Sequence, residues 1–182
     1  MIRRVALLIA LLVAGFVGGG MLPAEPASPP PLEYQVKAAF LYQFIKFVEW
    51  PPQALSHNTI IIGVLSDGPM ASALASIEGK EAKGRTVVVK RFKGLDDLEF
   101  SHILFISPGA AGHLREIRKR LGGSSTLEVS DVEGFARGGG MINFIMVEDK
   151  IHFEINVEAA EQAHLKISSQ LLKLATIVQG AE

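Results

Sequence analysis

The polar side chains best placed for chemistry follow apolar runs. Ser66 and Asp67 follow TIIIGVL, Ser107 follows HILFI, and Ser130 and Asp131 close the run that begins at Thr126. Open α/β sheets bind ligands beyond the carboxyl ends of their strands. Asp67, Ser107 and Asp131 therefore form a candidate ligand crevice, with Ser66 and Ser130 beside them. Asp67 and Ser107 have a plainer role to hand. Each stands just before a proline that can open a helix, where such residues act as caps. Asp131 precedes a loop, so capping does not account for it.

The remaining reactive residue types form no constellation. His57, His102, His113, His152 and His164 stand singly, in neither HxH nor HExxH spacing, and no metal site is expected from them. There is no GxSxG elbow for a serine hydrolase. The absence of cysteine rules out disulfides, thiol catalysis and cysteine-ligated zinc. The stretch GFARGGG at 134–140 tempts a phosphate reading, but a phosphate cradle has its glycines after a strand and opening a helix. Here they open a strand, which suits a bend or bulge. The formal net charge is −1 and no basic stripe interleaves with aromatics, so nucleic acid is not an expected partner. No catalytic residue and no cofactor are expected, and the chain is not read as an enzyme.

The elements that position these residues are legible from periodicity. Glu33–Trp50 carries Val36, Phe40, Phe44, Phe47 and Val48 at helical spacing, with Leu41 and Ile45 widening the stripe. Lys37 falls on its narrow wet face, and Pro51 and Pro52 end it. Thr59–Leu65, Thr86–Phe92, His102–Ile106 and Thr126–Ser130 read as buried strands. Helices are expected from Pro69 through Ile77 and from Pro108 through Leu121. Met141–Val147 is apolar on both faces apart from Asn143. Ile151–Ile155 alternates, with His152 and Glu154 on the wet side, and 148–150 makes the hairpin loop. Asn156 can cap the next helix. Ser168 can cap a last helix that buries Leu171, Leu174, Ala175 and Val178. Strands alternating with helices predict an α/β, three-layer domain. Its sheet is mixed and mainly parallel, with a long N-terminal helix and a C-terminal antiparallel strand pair followed by short helices.

Three segments are expected along the chain. Residues 1–24 read as a cleaved secretory signal, with Arg3 and Arg4 before an apolar run from Val5 to Val17 and small residues after it. Residues 25–32 are a Pro-rich linker. Residues 33–182 make a single domain. Within it, Phe135 and Arg137 sit in the glycine-flanked loop, and Leu165 and Ile167 lie in the break between two short helices. Aromatic and arginine side chains anchor many interfaces, so these four residues are the candidate partner-binding surface. Phe135 can instead fold inward as a plug over the sheet edge.

Four stretches carry a family resemblance. KAAFLYQFIKFVEWP at 37–51, SHILFIS at 101–107, TLEVSDVEGFARGGGMINF at 126–144 and IHFEINVEAAEQAHLKISSQLLKLA at 151–175 together resemble the YfiR family, in order and spacing, from about Tyr34 to Val178. The resemblance implies a periplasmic regulator that represses a membrane-bound signalling protein, foremost a diguanylate cyclase. It would do so by binding the periplasmic domain of that inner-membrane cyclase or of a related sensor, which lowers cyclic di-GMP output and biofilm. It also implies an outer-membrane OmpA-like lipoprotein as a sequestering partner, and a homodimer stays open. Family members often carry cysteine just before the HILFIS strand. This chain has Ser101, so the resemblance brings no disulfide-based redox response. The alternative is a periplasmic small-ligand binding protein that uses the crevice at Asp67, Ser107 and Asp131.

Overall fold

The computed structural model describes residues 29–180. The expected signal segment and the linker up to residue 28 lie outside the described residues.

The chain begins with α1 (Leu32–Phe47), β1 (Val48–Glu49), a 3-10 turn at Pro52–Leu55, β2 (Thr59–Leu65) and α2 (Pro69–Ala73). It continues with β3 (Glu81–Ala82), β4 (Arg85–Phe92), β5 (Ile103–Ile106), a 3-10 turn at Pro108–His113 and α3 (Leu114–Leu121). Then come β6 (Leu127–Ser130), β7 (Ile142–Val147), β8 (Lys150–Asn156), α4 (Val157–Gln162), β9 (Lys166–Ile167), α5 (Ser169–Leu172) and β10 (Thr176–Val178). Eight strands form one sheet in the order β10-β8-β7-β6-β5-β2-β4-β3. The run from β4 to β7 is parallel, β8 pairs antiparallel with β7, and β10 returns parallel to β8. The sheet is thus mixed and mainly parallel, as the alternation of strand and helix predicts.

Strand alternation sends side chains to two different cores. Ile103 and Phe105 of β5 join the larger core beneath α1 and α2, with Leu41, Phe44 and Ile45. Leu104 and Ile106 face the other way, into a smaller core with Ile117 and Leu121 of α3 and with Phe135. Helices on both faces give three layers. The aromatic centre of the larger core is a cluster in which Phe44 stacks on Phe144 at 5.9 Å and meets Phe153 edge-on at 5.4 Å. Phe40 packs on the same two rings.

Tertiary pairing overrides local spacing in three places. α1 ends at Phe47 and not at Trp50, because Val48 turns extended and pairs with Ile167 of β9. The helix from Pro69 has five residues and then tightens into a 3-10 turn over Leu74–Ser76. The last helix stops at Leu172. Leu174 is left 68% exposed, and Thr176–Val178 becomes a strand. These three residues are β-branched, and β8 offers them an open edge of backbone hydrogen bonds, so the helical spacing of Leu171, Leu174 and Val178 gives way. The N-caps of the last two helices, α4 and α5, form as expected. Asn156 Oδ1 accepts from Ala159 N–H, and Ser168 Oγ accepts from Leu171 N–H.

Candidate functional site

At the end of β2 the chain turns sharply. Ser66 takes a left-handed conformation, φ 73°, while its N–H donates to Phe92 O at 2.8 Å. Gly109 packs against it so closely that a Cβ there would lie 2.8 Å from Ser66 Oγ. Beside this turn opens a cavity of about 330 Å³, lined among others by Ser66, Lys93, Asp96, His113 and Glu116. It lies where the connections that follow the neighbouring strands β2 and β5 leave in opposite directions, β2 toward β4 and β5 toward β6, the place where α/β sheets bind ligands. Of the residues expected in a crevice, Ser66 alone lines it. Ser107 Oγ donates to Ser66 O at 3.4 Å without reaching the cavity, and Asp67 points to solvent. Neither side chain caps its helix. Lys93, Asp96 and His113 were invisible as a group because only the sheet order brings the ends of β4 and β5 to β2.

Asp131 is drawn to the opposite side. Lys37 reaches from α1 to place Nζ 2.6 Å from Asp131 Oδ2, and it also meets Glu33. The Lys37 ammonium sits 4.4 Å from the Tyr34 ring centroid. Burial alone would pull the Lys37 pKa down, but the hydrogen bonds it donates to Asp131 and Glu33 outweigh it and hold the group above the usual lysine value. Burial, followed by the charge of Asp131, raises the Tyr34 phenol. Lys37 was expected on the wet face of α1. It is buried instead, and Asp131 is its counter-charge rather than a crevice residue.

The glycine loop at 132–140 is fastened from beneath. Asn143 Nδ2 donates to Val132 O at 2.9 Å, and Asn156 Nδ2 donates to Ala136 O at 3.1 Å. Both asparagines are buried. The loop turns Phe135 inward. A Cβ on Gly140 would fall 2.2 Å from the Phe135 ring, so this position admits no side chain. Phe135 is therefore the plug, and it offers no exposed surface. Arg137 stays 60% exposed while its Nη2 donates to Glu154 Oε1 at 2.8 Å. Glu154 itself is buried, against the expectation that it lies on a wet face. Leu165 is buried as well, and Ile167 is half-buried opposite Val48. The reasoning from exposure thus survives for Arg137 and in part for Ile167. It fails for Phe135 and Leu165, whose side chains complete the cores.

A second cavity, of about 310 Å³, separates the loop from α4. Arg118, Ser124, Glu128, Gly139, Met141 and Gln162 are among its lining residues. Glu128 is nearly sealed from water, and burial pushes its carboxyl up to about 7, with Arg118 opposing the shift.

Periodicity did not mark out the exposed apolar residues. Val36 lies one helical turn before Phe40, and Met146 lies two residues beyond Phe144 on the same strand face. Ile177 sits opposite Ile155 in register. Met146 and Ile177 are each 51% exposed.

His102 has its Nδ1 accepting from Ile61 N–H at 2.9 Å, and burial lowers its pKa, so it is a neutral packing residue. Its Nε2–H faces Ala54 O. Among the described residues no group of three His, Asp or Glu side chains is placed to hold a metal ion. Among the same residues no helix is long and apolar enough to cross a membrane.

The YfiR/HmsC-like family model matches residues 34–176. The chain belongs to this family. The matched span runs from the first turn of α1 to the first residue of β10, so it includes both cavities, the glycine loop and the Lys37–Asp131 bridge. No curated protein matches the chain. In this YfiR/HmsC-like domain Ser101 is buried at the head of β5, with its Oγ 3.5 Å from Glu99 O.

Proposed function

We propose that this chain is a periplasmic regulator that acts by binding and not by catalysis. It represses a membrane-bound signalling protein, foremost a diguanylate cyclase, and so lowers cyclic di-GMP output. The observation that carries this reading is membership of the YfiR/HmsC-like family over residues 34–176. The surface is consistent with it. Arg137 is displayed on a loop held rigid by two buried asparagines, and Val36, Met146 and Ile177 each expose apolar area. A rigid, preorganised surface with an arginine and apolar anchors suits protein recognition. The partner in this reading is the periplasmic domain of an inner-membrane diguanylate cyclase or related sensor. An outer-membrane OmpA-like lipoprotein is a second partner that sequesters the regulator. In this reading residues 1–24 are an export signal that delivers the chain to the periplasm.

The test is deletion of the gene with measurement of cellular cyclic di-GMP, alongside capture of membrane proteins on the purified domain. The reading expects the nucleotide to rise on deletion and to return with the intact gene. Unchanged cyclic di-GMP, with no membrane signalling protein captured, overturns it.

The cavity of about 330 Å³ at Ser66 supports a second reading, a small-ligand binding protein. Native mass spectrometry of protein purified from the periplasm checks it. A retained small molecule that is lost on replacing Lys93 and His113 supports this reading, and protein at its bare sequence mass counts against it.

A further inference from the structure

Glu128 is a carboxylate enclosed by protein with too few partners. Its neighbours on β6, Leu127 and Val129, belong to the core under α1, so alternation turns Glu128 toward α3. Its Oε2 has no hydrogen-bond partner, and neither has Arg118 Nε, which lies 3.7 Å away. Arg118 is also what ties α3 to the glycine loop. Its Nη1 donates to Gly138 O, and its guanidinium carbon lies 5.6 Å from the Phe135 ring centroid. A Cβ on Gly139 would come within 3.3 Å of Nη1. The other residues around Glu128 bring no charge. Across the cavity, α4 contributes Ala159, Gln162 and Ala163, the loop contributes Gly139, and the start of β7 is preceded by Met141. The turn after α3 contributes Ser124, and β5 sets Leu104 opposite Glu128 in register.

We propose that Glu128 and Arg118 form a proton-operated catch on the glycine loop. While Glu128 is neutral, Arg118 has no counter-charge beneath it and gives its hydrogen bond outward to Gly138 O. When Glu128 loses its proton to solvent through the cavity, the carboxylate attracts Arg118 Nε across the gap. An N–H···O bond needs a separation of about 2.7–3.2 Å, so the guanidinium must move inward by roughly half an ångström or more. That movement pulls on both of its ties to the loop, the bond to Gly138 and the stacking on Phe135. The carboxyl group titrates near neutrality because burial disfavours its charge, which puts the two positions of the catch within reach of ordinary changes in pH. The catch does not depend on the proposed function. Under the reading of the Arg137 loop as a binding surface, it also makes binding respond to pH.

NMR of the purified exported protein tests this directly. The Glu128 carboxyl-carbon resonance and the backbone amide resonances of Gly138, Gly139 and Gly140 are followed from about pH 5 to pH 9, a range that spans the shifted carboxyl. The proposal expects the carboxyl and the glycines to share one midpoint, within about one unit of neutrality. In Glu128→Gln the glycine transition disappears. In Arg118→Met the carboxyl still titrates and the glycines no longer follow it. Glycine resonances that stay flat in the wild-type protein overturn the proposal without any variant, so a variant that fails to fold leaves the test intact. The same transition persisting in folded Glu128→Gln overturns it too, as does glycine titration that survives loss of the Arg118 guanidinium.

Discussion

Lys37 Nζ and Asp131 Oδ2 lie 2.6 Å apart with both side chains almost closed to water, joining the first helix to the end of β6. Taking one partner from such a pair leaves a buried charge unmatched, which costs about 3–5 kcal/mol. Lys37→Met strands Asp131 in this way and should destabilise the domain by that order in urea unfolding, whereas Asp131→Leu leaves Lys37 joined to Glu33 and should cost less. The double substitution should cost clearly less than the two single effects added together. Strict additivity would show that the pair does not interact.

Stability should fall as pH rises through the near-neutral range. The Glu128 carboxyl moves from its ordinary 4.5 to about 7 on folding, so the folded chain holds that proton more tightly than the unfolded chain does. The stabilisation is complete below the unfolded value and is lost progressively as pH climbs toward and through the folded one. A shift of this size corresponds to about 3 kcal/mol. Glu128→Gln should remove this pH dependence and raise the melting temperature at pH 8 relative to the parent. Parallel melting curves for the two proteins from pH 5 to 8 would show that Glu128 is not the group responsible.

Gly140 should tolerate no side chain. Gly140→Ala sets a methyl against the Phe135 ring, and overpacking of this kind costs about 1–3 kcal/mol. Phe135→Ala should cost about 3–5 kcal/mol by emptying the smaller core. Gly140→Ala placed in a Phe135→Leu background should cost less than it does alone. Denaturant midpoints of the parent and these four variants provide the measurement.

Met146→Asp and Ile177→Asp should leave the melting temperature nearly unchanged, because surface replacements away from packed features usually alter stability by no more than about 0.5 kcal/mol. If these side chains anchor the membrane partner, capture should weaken by about 2 kcal/mol or more. Capture at full strength by both folded variants removes these two residues from the interface.

The parallel sheet was legible because its central strands β2 and β5 are short apolar runs, and the hairpin at 148–150 because β8 alternates. The end of α1 was not, since Val48 continues the helical stripe and only β9, far along the chain, turns it into a strand. Lys37 and Asp131 stand 94 residues apart, and nothing local to α1 distinguishes this lysine from a solvated one. Phe135 could be read inward or outward until Gly140 was seen lying flat against its ring. Glu128, in the middle of a buried strand, is a polar residue with apolar neighbours, and that mismatch was the available sign of an unusual carboxylate.

The pairing of β1 with β9 has a kinetic consequence. Val48 meets Ile167, and Ser168 N–H donates to Phe47 O at 2.8 Å, so the early and late parts of the chain clasp each other. α1 can coil early and meet α2, yet the side of its stripe that carries Phe40 and Phe44 stays open until β7 and β8 bring Phe144 and Phe153. Chains dominated by such distant contacts fold slowly and hold apolar surface open while they do so. For this domain the vulnerable period lasts until the segment around Ile167 has arrived, so a chaperone that shields α1 during that interval should raise the yield of folded protein more than one acting on the finished sheet.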